Sequence, residues 1–140
     1  LNATGKTYRY RIWNSEDPCV FERRYLWALP DRLDVEAMNR AAQCLVGTHD
    51  FSCFCGNSKM KKSTVRRIDC ISLTRQGQEL LIAVTGNGFL QNMVRIMVGT
   101  LVEVGTGQRG EKLDSLFGQK REKAGFLAPP QGLCLMEVTY

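Results

Sequence analysis

Histidine occurs once in this chain, at His49, and none of the six cysteines forms a CxxC pair with another. Zinc centres draw their ligands in two spaced pairs, so neither a zinc site nor any other metal is expected. No window approaches the run of roughly 18 apolar residues that a membrane span needs, and no membrane partner is expected. The sequence has no P-loop, no dinucleotide fingerprint and no G-x-S-x-G, so the common nucleotide-cofactor and serine-hydrolase chemistries are without a footing. An initiator Met is also missing. The opening Leu1-Asn2-Ala3-Thr4-Gly5-Lys6 has no apolar stretch behind its charge, so it is no signal peptide. Such a start reads as that of a fragment or a trimmed chain.

The cysteines are Cys19, Cys44, Cys53, Cys55, Cys70 and Cys134. An even count could serve disulfides in a small secreted chain. With 44% apolar residues the chain can build a core without staples. Cys44, within a helical apolar stripe, and Cys70, within a strand, read as small buried hydrophobes. The 140 residues fit one domain, 1–140, with no repeat or linker. Nineteen basic residues stand against 14 acidic ones, a net charge of +5. That excess suits a polyanionic partner, and equally a soluble protein with surplus lysine.

Periodicity predicts the elements. Lys6 to Asn14 alternates as a strand, with Tyr8, Tyr10 and Ile12 on one face and Thr7, Arg9, Arg11 and Trp13 on the other. A short strand is expected within Phe21 to Leu29, around Tyr25 to Ala28. Asp34 caps a helix over Val35 to Val46 that carries Met38, Ala41, Ala42 and Leu45 on one side, and Gly47 ends it. Thr48 to Asn57 reads as a loop. Thr64 to Arg75 and Glu79 to Thr85 form a hairpin about Gln76-Gly77-Gln78. Phe89 to Val104 is apolar round most of its circumference and reads as a buried helix. Glu111 to Lys123 reads as a polar helix interrupted near Gly118, and Leu133 to Tyr140 as a last strand. The order β-α-β-β-α-β predicts an α+β, ferredoxin-like split βαβ arrangement: a mostly antiparallel sheet with helices on one face.

A few residues could carry chemistry. Arg95 sits in the apolar helix, and an unpaired buried guanidinium costs several kcal/mol. Either it meets a carboxylate or phosphate, or it lies on the helix's one exposed strip. Gly99, one turn on, leaves space on its side. Tyr8 can pack in the core or stack on a base; for Tyr10 the core is the better reading. Lys59, Lys61, Lys62, Arg66 and Arg67 place five cations in nine residues, as a phosphate-contacting strip would, and as a solvated loop would. Asp50 reads as a loop carboxylate bonding nearby backbone N–H groups rather than a nucleophile. His49 is a general base by type only.

Four stretches together resemble one family. They are Lys6-Thr-Tyr-Arg-Tyr-Arg-Ile12, Ala42-Gln-Cys-Leu-Val-Gly-Thr-His-Asp-Phe-Ser52, Gly88-Phe-Leu-Gln-Asn-Met-Val-Arg-Ile-Met-Val-Gly99 and Ala128-Pro-Pro-Gln-Gly-Leu133. In order and spacing they resemble the C-terminal half of the TruA-like tRNA pseudouridine synthases, over nearly the whole chain. The resemblance implies an isomerase that turns uridine into pseudouridine in the tRNA anticodon stem-loop, without a cofactor, in the cytoplasm. It implies two ferredoxin-like halves with the catalytic cleft between them, a homodimer, and tRNA spanning both subunits. It gives Tyr8 the place of the active-site tyrosine and Arg95 that of the arginine that pairs with the catalytic aspartate.

That aspartate belongs to an Arg-x-Asp-x-Gly-Val motif of the N-terminal half, which this sequence does not contain. The chain is therefore expected to be inactive alone, with the N-terminal half as its partner. Cys55 stands where the family often has a basic residue. The competing reading is a non-catalytic RNA-binding module of the same fold, and a purely structural dimerisation domain is a third.

Overall fold

The computed structural model describes residues 4–19 and 23–140, with the backbone alone at Arg23. The alternation of the first strand, β1 (Gly5–Trp13), sets the layering: Tyr10 and Ile12 are fully buried on one side, while Arg9 and Arg11 occupy the other. β1 lies antiparallel to β5 (Glu79–Gly86), β5 to β4 (Val65–Gln76), and β4 to β3 (Gly47–Asp50). β6 (Leu133–Thr139) pairs antiparallel with the other edge of β1 over Gly5 to Tyr10. The two-residue β2 (Trp27–Ala28) pairs parallel with Ile12 and Trp13 at the far end of that edge. β1 and β4 thus run parallel with β5 between them, and β5 and β6 with β1 between them. These are the two interleaved units of the expected ferredoxin-like fold. Helices α1 (Val35–Gln43) and α2 (Met93–Gly105) cover the face of Tyr10 and Ile12.

Asp34 caps α1, its carboxylate accepting from Ala37 N at 3.0 Å. Ala37, Met38, Ala41 and Ala42 face the core. The helix is shorter than its apolar pattern. From Cys44 to Val46 the bonds tighten to i→i−3, and Gly47, at φ +114, turns the chain into β3. α2 buries eleven of its 13 residues, leaving Arg95 and Glu103 half-buried. It begins four residues later than its apolar run, because Asn92 takes a left-handed φ of 60. No helix among the described residues is long and apolar enough to cross a membrane.

Several expectations need correction. The polar helix over Glu111 to Lys123 is instead two single 3-10 turns, Asp114–Leu116 and Arg121–Lys123. Its only buried anchors are Leu113 and Leu116, too few to bind a helix to the core, and Gly118 at φ +76 breaks it. Thr48 to Asn57 contains strand β3 and a 3-10 turn at Ser52–Phe54, because pairing with β4 orders a segment of weak intrinsic preference. Cys70 is exposed. The register shift between Ile68 and Cys70 turns it outward while Ile68 and Ile71 stay buried. Cys44 is half-buried. Of the segment Phe21 to Leu29, Phe21 and Glu22 lie outside the described residues; the rest forms a 3-10 turn at Arg23–Tyr25, then β2.

Tyr10 bears out its core reading. Its ring is fully buried and its hydroxyl donates to Pro129 O. A Cβ on Gly132 would come within 2.6 Å of that ring, so the Pro129 to Gly132 turn packs directly on it. Burial holds the phenol well above its usual value, against the opposing pull of the Arg95 charge. A raised folded value means the group stabilises the fold fully below its unfolded pKa of about 10 and loses that contribution as the pH climbs above it. Tyr10→Phe is expected to lose about 1–2 kcal/mol at neutral pH and to flatten the decline above pH about 10. Urea titrations across pH 7–11 read both effects.

Candidate active site

A short strap, Gly125 to Ala128, crosses α2 at backbone contact. A Cβ on Gly99 would fall 1.8 Å from Phe126 O, and one on Gly125 would fall 2.7 Å from Thr100 Cα. Thr100, fully buried, stitches the crossing. Its hydroxyl donates to Ile96 O at 2.8 Å and accepts from Gly125 N at 2.9 Å. The space that Gly99 was expected to leave beside Arg95 is taken by this strap.

The strap then locks Arg95 from two sides. Ala128 N donates to Arg95 O at 3.1 Å, and Arg95 Nε donates back to Ala128 O at 2.8 Å. Arg95 Nη1 donates to Asn92 Oδ1 at 3.3 Å. No carboxylate meets the guanidinium among the described residues, whose ion pairs are Arg11–Glu79, Arg40–Glu111, Arg67–Asp69 and Arg109–Glu103. A half-buried guanidinium is thus aimed by neutral acceptors and left with unused donors. Asn92 holds an unusual position: it precedes α2 in a left-handed conformation, and its side chain bonds Arg95 instead of capping the helix. Strained backbone of this kind collects at functional sites. Gly56 makes room for it, since a Cβ there would meet Asn92 Nδ2 at 3.0 Å.

Asn92 also lines a cleft of about 240 Å³ with Tyr8, Phe89, Gln91 and Leu133. Tyr8 and Phe89 stand edge to face, ring centroids 5.0 Å apart. The structure therefore brings Tyr8 and Arg95 to the same end of α2: Tyr8 lines the cleft, and Arg95, which does not, bonds to Asn92, which does. Asn92, Phe89 and Leu133 were not singled out from sequence. Their signal was available in the Gln91-Asn92 step before the apolar helix and in the last residue of the Ala128 to Leu133 stretch. A wider hollow, about 790 Å³, lies at the other end of α2 around Arg32, Asp34 and Gly107. At 1.5 Å per residue that is roughly 20 Å away, and it has two arginines, Arg32 and Arg75, but no aromatic side chain in its lining.

The basic residues divide into two groups. Arg66 Nη1 donates to Ser63 O and Val65 O, both at 2.8 Å, and its side chain passes Gly88. Arg67 pairs with Asp69 at 2.8 Å. Lys59, Lys61 and Lys62 are exposed on the preceding loop, which borders a hollow of about 450 Å³ lined by Ser52, Asn57, Ser58, Thr64, Lys120 and Arg121. Asp50 is held by Ser52 N at 3.1 Å and by the Thr64 hydroxyl, as its backbone-bonding reading anticipates. His49 stacks on Phe117 with centroids 3.9 Å apart. Neither lines the Tyr8 cleft.

Residues 41–140 match a family model described as tRNA pseudouridine synthase. A tRNA pseudouridine synthase A of Halalkalibacterium halodurans is 48% identical over 134 residues, 94% of this chain and 51% of the relative. The enzyme of that name from Acetivibrio thermocellus is 44% identical over 140 residues, 99% of this chain and 57% of the relative. The one from Shouchella clausii is 46% identical over 140 residues, 99% and 54%. The chain spans about half the length of the curated relatives it matches. With residues 41–140, Arg95 and the Ala128 strap among them, inside the family model, the chain belongs to the tRNA pseudouridine synthase family.

Proposed function

We propose that this chain is the C-terminal half of an enzyme that isomerises uridine to pseudouridine in the tRNA anticodon stem-loop, and that it is inactive without the other half. The observation that carries the reading is Arg95: a fixed, half-buried guanidinium beside an aromatic cleft, with no carboxylate of its own. An aspartate arriving from the N-terminal half would complete it. A bidentate, charge-assisted pair would keep that carboxylate ionised and aimed. The target uridine would leave its stack and enter the cleft. Tyr8, whose hydroxyl bonds to none of the described residues, would pack on the base and assist the proton transfer. The aspartate would attack ribose or base, the N1–C1′ bond would break, the uracil would turn and the C5–C1′ bond would form. C5 gives up a proton and N1 gains one, so no redox partner is needed.

The free edge supports the two-half reading. Among the described residues β6 pairs only with β1, and Leu135 and Met136 on it are each 47% exposed. An unpaired edge with apolar side chains invites another strand. The assembled enzyme would be a cytoplasmic homodimer with tRNA reaching across both subunits. Lys59, Lys61, Lys62, Arg66 and Arg67 would hold phosphates away from the reacting base. Replacing the three lysines by Ala in the full-length enzyme is expected to reduce the slope of log Kd against log salt by about 2–3 while leaving turnover at saturating tRNA unchanged. An unchanged slope would assign them to a solvated loop.

The decisive experiment measures pseudouridine in unmodified tRNA with this chain alone, with the separate N-terminal half, and with both. Activity in the mixture only is the expected result. Activity of this chain alone would overturn the reading and make Asp50 the first residue to replace. RNA binding with no turnover in any combination would favour the non-catalytic module.

A further inference from the structure

The opposite face of β1 carries a group with no partner among the described residues. Arg9 stands in register with Ala83 of β5 and Cys134 of β6. It is half-buried, its Nε is closed to solvent, and the guanidinium makes neither a hydrogen bond nor an ion pair among the described residues. Desolvating a cationic donor without an acceptor is unfavourable, and none of the described residues supplies that acceptor, so the position has room for an outside anion.

The surroundings define its chemistry. Arg9 lines a hollow of about 210 Å³ with Arg11, Tyr25, Gln131, Leu133 and Cys134. The polar groups converging there are guanidinium, phenol and carboxamide, all able to donate. Of the carboxylates on this face, Glu79 is bonded to Arg11, and Glu137, opposite Thr7, does not line the hollow. A guanidinium fork fits phosphate oxygens in two-point contact. Tyr25, 63% exposed at the rim, offers a ring face of the kind on which bases stack. One residue ties this hollow to the candidate active site: Leu133 lines both.

We propose that the Arg9 hollow seats the phosphodiester adjoining the nucleotide that enters the Tyr8 cleft, and that Tyr25 stacks on the neighbouring base. Leu133 is then the partition between the extruded nucleotide and the strand it left. This rests on RNA being the substrate. It adds a positioning site on the sheet face that carries no helices, separate from the lysine loop.

The test uses the full-length enzyme and anticodon stem-loops with a single methylphosphonate, which removes one phosphate charge, at each position flanking the target uridine. Wild type is expected to lose about tenfold in affinity at one of those positions. Arg9→Gln should lose about tenfold on unmodified RNA, show no further loss on the methylphosphonate, and lower the salt slope by about 0.7–0.9. Arg9→Lys, which keeps the charge, should recover the slope and only part of the affinity. Additive losses from Arg9→Gln and the methylphosphonate would overturn the proposal, as would wild-type affinity and slope in the variant. A variant that alters sedimentation but not methylphosphonate sensitivity would show that a protein carboxylate fills the hollow, and would equally overturn it. These readouts are binding measurements. A wild type that bound RNA but formed no pseudouridine would defeat the enzymatic reading while leaving the phosphate assignment to be judged by the same cycle.

Discussion

Gly99→Ala is expected to destabilise the fold by about 3 kcal/mol or more, the upper range for forcing one extra carbon into a closed site. The added Cβ would fall 1.8 Å from Phe126 O, and the obstructing atom is backbone rather than the end of a movable side chain. Relief requires the strap to lift off α2. That movement breaks the Gly125 N to Thr100 bond and both bonds between Ala128 and Arg95. The same substitution should therefore reduce pseudouridine formation in the full-length enzyme even where the protein remains folded. Gly110→Ala is the internal control: no atom lies within 4 Å of its would-be Cβ, and its backbone needs no positive φ. Urea unfolding of the two variants side by side should separate them by the full 3 kcal/mol. If Gly99→Ala melts with Gly110→Ala, the close crossing of strap and helix is wrong, and with it the account of how Arg95 is held.

What was legible in the sequence follows from where the physics is local. β1 could be read because its alternation reports one buried face directly, and the structure buries Tyr10 and Ile12 as that alternation requires. The hairpin was equally plain, since Gly77 at φ +63 supplies the turn that Gln76-Gly77-Gln78 announces. α2 could be recognised but not its start, because whether Asn92 continues the helix or turns left-handed depends on its bond to Arg95 and on the room given by Gly56, both set by folding. β3 escaped notice for a related reason: Gly47-Thr48-His49-Asp50 becomes a strand only against Val65 to Ile68. The site divides in the same way. Arg95 announced itself as a charge in an apolar helix. Leu133 and Phe89 are apolar residues among many, and only the assembled cleft distinguishes them. The five basic residues were adjacent in sequence and are not equivalent in space, because Arg66 and Arg67 are engaged locally and the lysines are not.

Arg95→Lys in the full-length enzyme is expected to lower kcat by at least about 10²–10³-fold, within the range for removing one preorganised charge-stabilising donor. The substitution keeps a positive charge, so a site that needed only a cation would tolerate it. The geometry asks for more. Nε is committed to Ala128 O and Nη1 to Asn92 Oδ1, which fixes the plane of the guanidinium and leaves its remaining donors for an incoming carboxylate. An ammonium has three donors, but all radiate from one nitrogen on a flexible stem, and they cannot reproduce the planar fork that reaches both acceptors and an incoming carboxylate. It would leave the carboxylate charged but mis-aimed, and a displacement of the order of 1 Å at a nucleophile is itself worth about 100-fold. Binding should respond much less, because Tyr8, Phe89 and Leu133, which form the cleft, are untouched; KM is expected within about threefold of wild type. Asn92→Ala offers a graded companion. It removes the Nη1 acceptor while Ala128 still holds Nε, so its loss in kcat should be smaller, and an added stability loss of about 1–2 kcal/mol should accompany it because alanine tolerates the left-handed backbone poorly. A kcat for Arg95→Lys within a few fold of wild type would mean that any cation suffices there. The two-sided clamp on Arg95 would then be structural, and the nucleophile would have to be aimed by the other half alone.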